Sequence, residues 1–491
     1  MQGRASACSL ENFFFLGLED ASAHADWAIR RGVRLFLLFS NLSLNARTLE
    51  SSIGAVQCMS AQHGVDPAIF GIDQEGGMVR RVKEPETDFP SAFALASLGE
   101  PGIVEEVGWL TGGYLREHGV DIDLAPVADT LFWPEDEAIA TRSFGSDPKV
   151  VAKMAVAFLK GLQRAFVLGA AKHFPGHGHA FMDTHLHPSL APQDEDFPER
   201  FQRGLWPFRA LVASGVPIII PSHVRYPAYD PGLPATFSRT LLERFLREGL
   251  GFQGAVVSDD LLMQAALAPF QGDIAEAAVR AFLAGCDVLT IGPDKGRQAL
   301  AIHGFSLAVQ SGRIPARRLE EARERIGRLV SSVLSNRALS AKATFSSSQQ
   351  RLEVAKRLSR SIVRVFDPND RLPFLVPPKG KVFVVEEEPS ALLAEALFQK
   401  GLESVSVGFH RTKEGMERGQ AVLVRMGTPP RSQDVRRCLE ALEGFPAGVC
   451  VLSTGVITRP LPGFEGGVFV WVGSLTPMAL DATLERILKV S

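Results

Sequence analysis

The densest chemistry in the chain is a run of imidazoles. Residues 172–179 read Lys-His-Phe-Pro-Gly-His-Gly-His, and the segment continues through Asp183-Thr184-His185 to His187, so five of the eleven histidines fall between positions 173 and 187. Imidazole changes charge near neutral pH and is a common metal ligand, so the run suits proton transfer or metal ligation. Its glycines and proline predict a shaped loop in which backbone can approach a ligand closely. Two other clusters carry carboxylates. Asp73-Gln74-Glu75-Gly76-Gly77 is followed by Arg80 and Arg81, and an apolar run ends in Ser258-Asp259-Asp260. A carboxylate beside glycines can accept hydrogen bonds from ligand hydroxyls while leaving room for a ring. Adjacent acids on extended backbone diverge, so one of Asp259 and Asp260 faces the site.

Zinc is one use for the histidine loop, but the helical HExxH spacing is absent and the loop supplies no thiolate. The expectation is no metal and no cofactor. A solvated histidine-rich loop without a role is the blander alternative, and it suits His179 and His187 taken singly.

These residues need a scaffold that brings positions 73, 173 and 259 together. Short apolar runs at 12–18, 33–39, 68–72, 121–125, 167–171, 216–220, 255–258 and 287–291 alternate with longer amphipathic stretches, the pattern of repeated βα units. Eight strands in that span suit a (β/α)8 TIM-like barrel, whose reactive residues sit at the C-terminal ends of its strands. Asp73, Asp129, Lys172 with His173, Ser222 with His223, and Asp259 all fall at such ends. Isolated core charges would not fall in step with strand ends, so the pattern points to one shared site.

At 491 residues the chain exceeds one ordinary core and predicts more than one domain. The barrel is expected over 1–340, a helical linker and crossing segment over 341–380, and a smaller α/β sandwich (αβα) domain over 381–491. In the last part, apolar runs at 382–385, 404–408, 421–424, 449–452 and 468–472 alternate with helical stretches at 390–400, 433–442 and 478–490; residues 367–380 read as a linker. Basic and acidic residues nearly balance, 52 against 55, without a long block of one sign, which argues against nucleic acid as a partner. No apolar stretch approaches the roughly 18 residues of a membrane span, and the opening residues lack the pattern of a secretory signal. A cytoplasmic protein, monomer or homodimer, is the expectation. The five scattered cysteines contain no CxxC pair and predict buried free thiols.

Five ordered motifs carry a resemblance: DQEGG at 73–77, APVAD at 125–129, TRSF at 141–144, KHFPGHG with its trailing DTH over 172–185, and SDD at 258–260. Together, over roughly residues 10 to 335, they resemble glycoside hydrolase family 3, in its β-N-acetylglucosaminidase branch. The resemblance implies a retaining exo-β-N-acetylhexosaminidase acting on small carbohydrate substrates that carry β-linked GlcNAc, muropeptide fragments of the cell wall among them. It also implies Asp259 as nucleophile, His185 oriented by Asp183 as acid/base, and sugar contacts from Asp73, Arg81, Arg142, Lys172 and His173. Met78 departs from the family, which usually has Arg after DQEGG.

The residue types suit that chemistry. Retaining hydrolysis needs one group to attack the anomeric carbon and another to protonate the leaving oxygen. An ionised Asp can do the first; a histidine, with a pKa of about 6.5, can do the second. Neutral histidine carries no charge to repel an incoming anion, so phosphate could replace water as acceptor. A β-glucosidase of the same family, a metal-dependent hydrolase built on the histidine loop, and a sugar-binding protein without turnover are the other readings.

Overall fold

The computed structural model describes residues 10–133, 136, 138–180, 184 and 188–362, and beyond these the backbone of a set of strands and one helix. Eight strands carry the first part: β1 (Phe14–Gly17), β2 (Leu35–Leu38), β3 (Ile69–Ile72), β4 (Ile122–Asp123), β5 (Leu168–Phe174), β6 (Ile218–Pro221), β7 (Ala255–Val256) and β8 (Leu289–Ile291). Each coincides with one of the eight runs expected from sequence. Every strand residue is buried, as befits a parallel sheet packed on both faces.

The strands form one curled parallel sheet in the order β7-β6-β5-β4-β3-β2-β1-β8. Its two edges meet. Val257 and Val288 make a parallel bridge, and Ser258 N–H and Leu261 N–H donate to the carbonyls of Val288 and Thr290 at 2.9 and 3.0 Å.

Local sequence fixes the surrounding helices. The helix Ala46–Gln62 starts at a reciprocal cap between Asn45 and Thr48, Pro148–Arg164 at the Asp147 cap, and Ile274–Ala284 at Asp273, whose carboxylate accepts from Ala275 N–H and Glu276 N–H. Such caps satisfy backbone donors that the helix cannot, each worth about 1 kcal/mol. Between sheet and helices, Phe13, Phe282 and Phe305 pack edge-on and tilted at 4.9–5.7 Å between ring centres. Burying each such ring contributes roughly 1.5–3 kcal/mol.

At the N-terminal ends of the strands, two buried aspartates gather distant arginines. Asp121 accepts from Phe70 N–H, Arg116 and Arg337; Asp287 accepts from Val256 N–H, Arg247, Arg318 and Arg325. Arg318, Arg325 and Arg337 all lie on the long helix Ala316–Ser340, which these pairs clamp beneath the sheet.

A six-stranded sheet follows, in the order Arg364–Phe366, Val468–Trp471, Val449–Ser453, Val422–Met426, Lys381–Val385, Glu403–Val407, parallel except for the first pair. The five apolar runs expected there are all strands. The helical stretches expected at 390–400 and 433–442 lie outside the described residues. The last helix is Pro477–Ile487 and ends before position 490, because Leu488–Val490 is a strand paired with Phe374–Val376 inside the stretch read as linker. Each of these two short strands takes its extended form from the other, a long-range partner that local pattern does not reveal.

Among the described residues, Cys286 is a buried thiol as expected, but Cys58 is exposed on the outer face of its helix. No helix among them is long and apolar enough to cross a membrane.

Candidate active site

The strand ends converge on a cavity of about 450 Å³. Asp73, Arg81, Arg142, Lys172, His173 and Asp259, six of the eight residues singled out from sequence, all line it.

Asp73 leaves β3 and opens a tight hairpin, Gln74–Gly76 against Val79–Arg80. The turn needs glycine. Gly77 has φ +57°, and a Cβ there would sit 2.7 Å from the Cβ of Ser91. The two arginines after the turn divide their tasks. Arg80 pairs with Asp88 at 2.8 Å beneath the hairpin, whereas Arg81 donates to Asp73 Oδ2 at 3.1 Å inside the cavity.

Lys172 and His173 end β5, the longest strand, with Lys172 only 4% exposed, so its charge must be paired. Its ammonium reaches Asp73 Oδ1 at 2.8 Å and Glu75 Oε1 at 2.6 Å. Arg142 grips Glu75 with two parallel bonds of 2.9 and 2.8 Å. Burial would raise the Glu75 carboxyl, but the Arg142 and Lys172 cations override it and hold the group down at about 2. Burial likewise opposes the Lys172 ammonium, and Asp73 and Glu75 reverse it, raising its pKa. The result is a fixed lattice of three cations and two carboxylates along one wall. Glu75 is a site residue that sequence reading passed over. Its signal was there, since positions 73 and 75 share one face of an extended segment.

His173 is set by Asp129. That buried carboxylate accepts from His173 Nδ1 at 2.7 Å, from His173 N–H at 3.1 Å and from His177 N–H at 2.6 Å. Burial would raise Asp129, and the facing His173 holds it below the usual carboxylate range. With Nδ1 so engaged, Nε2 of His173 points toward Asp259, 4.0 Å from Oδ2. Below these groups, Asp123 at the end of β4 is fully buried; burial pushes its carboxyl well above the usual range, and its Oδ1 accepts from Gln74 N–H at 3.0 Å.

Asp259 and Asp260 take different partners, but both reach the cavity lining, where one alone was expected to face the site. Asp260 turns back into the loop, its Oδ1 accepting from Leu262 N–H and Gly292 N–H, both at 2.9 Å. Asp259 keeps its side chain 28% exposed to the cavity and takes one backbone donor, Asp260 N–H, on Oδ1 at 2.8 Å. Burial would raise its pKa, but His173, His223 and that N–H keep it below the ordinary value, so it is ionised at neutral pH. His223, after β6, braces the loop by holding Thr236 through Nδ1 at 2.8 Å and the carbonyl of Asp260 through Nε2 at 3.1 Å.

The histidine loop separates into distinct environments. A Cβ on Gly178 would collide with the carbonyl of Thr130, so the loop can pass here only as glycine. His179 sinks into a nest of Phe132, Phe197, Phe201 and Tyr226, where burial depresses it to about 3 and keeps it neutral. His177 is buried as well but raised, because Asp136 and Asp129 outweigh the cost of burial. Asp183, His185 and His187 lie outside the described residues. Thr184 between them is described: it is buried, its hydroxyl 3.2 Å from His177 Nε2 and its carbonyl accepting from Ala265 N–H at 3.3 Å. Among the described residues, no three His, Cys, Asp or Glu side chains are grouped as metal ligands.

Residues 22–329, more than half of the chain, match the model of the glycosyl hydrolase family 3 N terminal domain. A beta-hexosaminidase of Methylobacillus flagellatus is 33% identical over 284 residues, 56% of this chain and 80% of the relative. Another from Nitrosomonas eutropha is 33% identical over 296 residues, 58% of this chain and 82% of the relative. The solved structure of a glycoside hydrolase family 3 beta-N-acetylglucosaminidase from Paenibacillus sp. str. FPU-7 superposes with a TM-score of 0.82 at 28% identity, covering 96% of this chain and 94% of that one. This chain therefore belongs to glycosyl hydrolase family 3.

Proposed function

We propose that the protein is a retaining exo-β-N-acetylhexosaminidase that releases terminal β-linked GlcNAc through a covalent glycosyl-enzyme, with Asp259 as nucleophile and His185, oriented by Asp183, as acid/base. The observation that carries this reading is the ionised Asp259 carboxylate at the end of β7, open to a cavity whose facing wall is a preset lattice of hydrogen-bonding charges. Asp73, Arg81, Arg142, Lys172 and His173 would hold the sugar's hydroxyls, and the relatives' names favour GlcNAc as that sugar. We read the curled sheet as a (β/α)8 barrel over residues 1–340, joined through 341–380 to an α/β unit over 381–491. Cell-wall muropeptide fragments in the cytoplasm are the natural substrates we favour.

In the first step an Asp259 oxygen bonds to the anomeric carbon as the glycosidic C–O bond breaks, and the His185 imidazolium gives its proton to the leaving oxygen. In the second, water attacks the anomeric carbon, its proton passes to the neutral imidazole, and the Asp259 carboxylate is released. Carboxylate attack competes with participation by the substrate's own acetamide, which would need a second acid to polarise it. Asp260 Oδ1 is committed to Leu262 N–H and Gly292 N–H, and this favours direct attack by Asp259.

Trapping with a 5-fluoro derivative of an activated GlcNAc glycoside tests the assignment. Mass spectrometry should place the adduct on the peptide carrying Asp259; an active enzyme labelled on Asp260, or unlabelled, overturns it. Aryl GlcNAc and aryl glucose substrates, assayed with and without phosphate, should show release of free GlcNAc that phosphate does not accelerate. Formation of a sugar phosphate would convert the reading to a phosphorylase.

A further inference from the structure

Three buried side chains outside the cavity form a chain of contacts that the reaction as written does not use. The imidazole of His177 lies between Asp136 and Thr184, with Nε2 3.2 Å from the Thr184 hydroxyl and Nδ1 3.7 Å from Asp136 Oδ2. The first separation is a hydrogen bond and the second an ion-pair distance. Asp136 is itself pinned, its other oxygen accepting from Ala138 N–H at 2.9 Å and Ile139 N–H at 3.0 Å. All three side chains are at most 4% exposed.

The chain of contacts continues at both ends into the active site. On one side, the backbone N–H of His177 donates to Asp129, the carboxylate that orients His173 beneath the sugar. On the other, the Thr184 carbonyl accepts from Ala265, six residues beyond Asp259 in the short helix Gln264–Leu267 that ends the loop carrying it. Thr184 is thus tied by its side chain to the sugar-binding wall and by its backbone to the nucleophile loop. The Asp-His-Thr order resembles a hydrolytic relay, but none of the three lines the cavity. A hydroxyl that substrate cannot reach does not attack it, and a positioning role is what remains.

We infer that His177 and Thr184 form a register pin, in which the imidazole anchored on Asp136 holds the backbone at Thr184, one residue before His185, at a fixed setting against the Asp259 loop. Leaving-group protonation then depends on a contact remote from the sugar. The pin rests on the reading of His185 as acid/base. Misplacing a reacting group by about 1 Å can cost on the order of 100-fold in rate. Loss of the pin should fall on the step that needs the proton and spare the step that needs only the carboxylate.

Thr184→Val keeps the shape of the side chain and removes the hydroxyl. It should lower kcat/KM by about 10- to 100-fold on GlcNAc glycosides with poor leaving groups. It should change kcat/KM less than about threefold on activated aryl glycosides and leave fluorosugar trapping of Asp259 at its normal rate, with Thr184→Ser restoring the lost activity. His177→Gln, which keeps a donor in place of the imidazole, should show the same split in milder form and serves as the readout if the valine variant does not fold. Equal loss on both substrate classes, no loss on either, or failure of serine to rescue overturns the pin. His185→Gly separates the two readings. If it shows the leaving-group split and Thr184→Val does not, the pin alone fails; if His185→Gly shows no split, the acid/base assignment fails, and the pin with it.

Discussion

The two ends of the parallel sheet use the same residue types for opposite purposes. At the N-terminal ends, Asp121 and Asp287 are fully buried and saturated: each accepts from one backbone N–H and from two or three arginines. At the C-terminal ends, Asp73 and Glu75 share Lys172 in the cavity wall, with Arg81 on the one and Arg142 on the other, and Asp259 has, among the described residues, a single backbone donor and an open face. An Asp with every lone pair occupied clamps helices; an Asp left with an unoccupied oxygen beside a cavity can form a new bond. The degree of satisfaction distinguishes the two ends, where residue type does not.

Exchange of function between the ends is therefore not expected, and substitutions can test this. Asp259→Asn should abolish turnover by about four orders of magnitude or more, measured with an activated aryl GlcNAc glycoside, while changing unfolding free energy by no more than about 1 kcal/mol. Asp287→Ala should do the reverse: about 3–5 kcal/mol lost in denaturant unfolding, since three arginines are left beside a void, with kcat/KM per folded molecule within a few-fold of normal. A large activity loss in folded Asp287→Ala would erase the distinction.

Glu75→Gln falls between the two, because Glu75 is both buried and in the cavity wall. Loosening Lys172 and Arg142 should cost on the order of 100-fold in kcat/KM. Its folded pKa of about 2 lies below the ordinary 4.5, so the stability it contributes is full above about pH 4.5 and is lost as pH falls toward 2. The glutamine variant should flatten that part of the stability curve, measured by unfolding at stepped pH; an unchanged slope would show that Glu75 is not held as the ion pair implies. The smallest effect is expected at His179, a neutral imidazole among aromatic rings whose two nitrogens have no hydrogen-bond partner among the described residues. His179→Phe should leave activity within about twofold and raise stability by up to about 1 kcal/mol; a large loss of turnover would give this histidine a role it has not been assigned.

How much of this was legible beforehand differs along the same division. All eight sheet strands were readable, because a strand buried on both faces declares itself as an apolar run. The mouth was readable too, since its charges follow those runs directly. Asp121 and Asp287 were not distinguishable as structural, because their partners come from far along the chain: Arg337 meets Asp121 across 216 residues, and Arg318 meets Asp287 across 31. Asp129 was noticed as a strand-end acid, but its role of ordering His173 and His177 depends on a loop folding back over it. Leu488–Val490 and Phe374–Val376 were missed for the same reason, each being extended only because the other lies beside it.

The bridge between Val257 and Val288 has a consequence for the order in which activity is acquired. Asp259 stands two residues past that seam, so the proposed nucleophile is positioned by the meeting of the sheet's edges and not by either edge alone. A chain growing from its N-terminus has made the charged residues of the wall by residue 173, yet the cavity, which Ser258, Asp259 and Thr290 also line, has no fixed shape until β8 has been synthesised and has docked. Such long-range closure is slow compared with local pairing. During synthesis, the cavity and the Asp259 carboxylate are thus expected to take their places together, at the closure of the sheet.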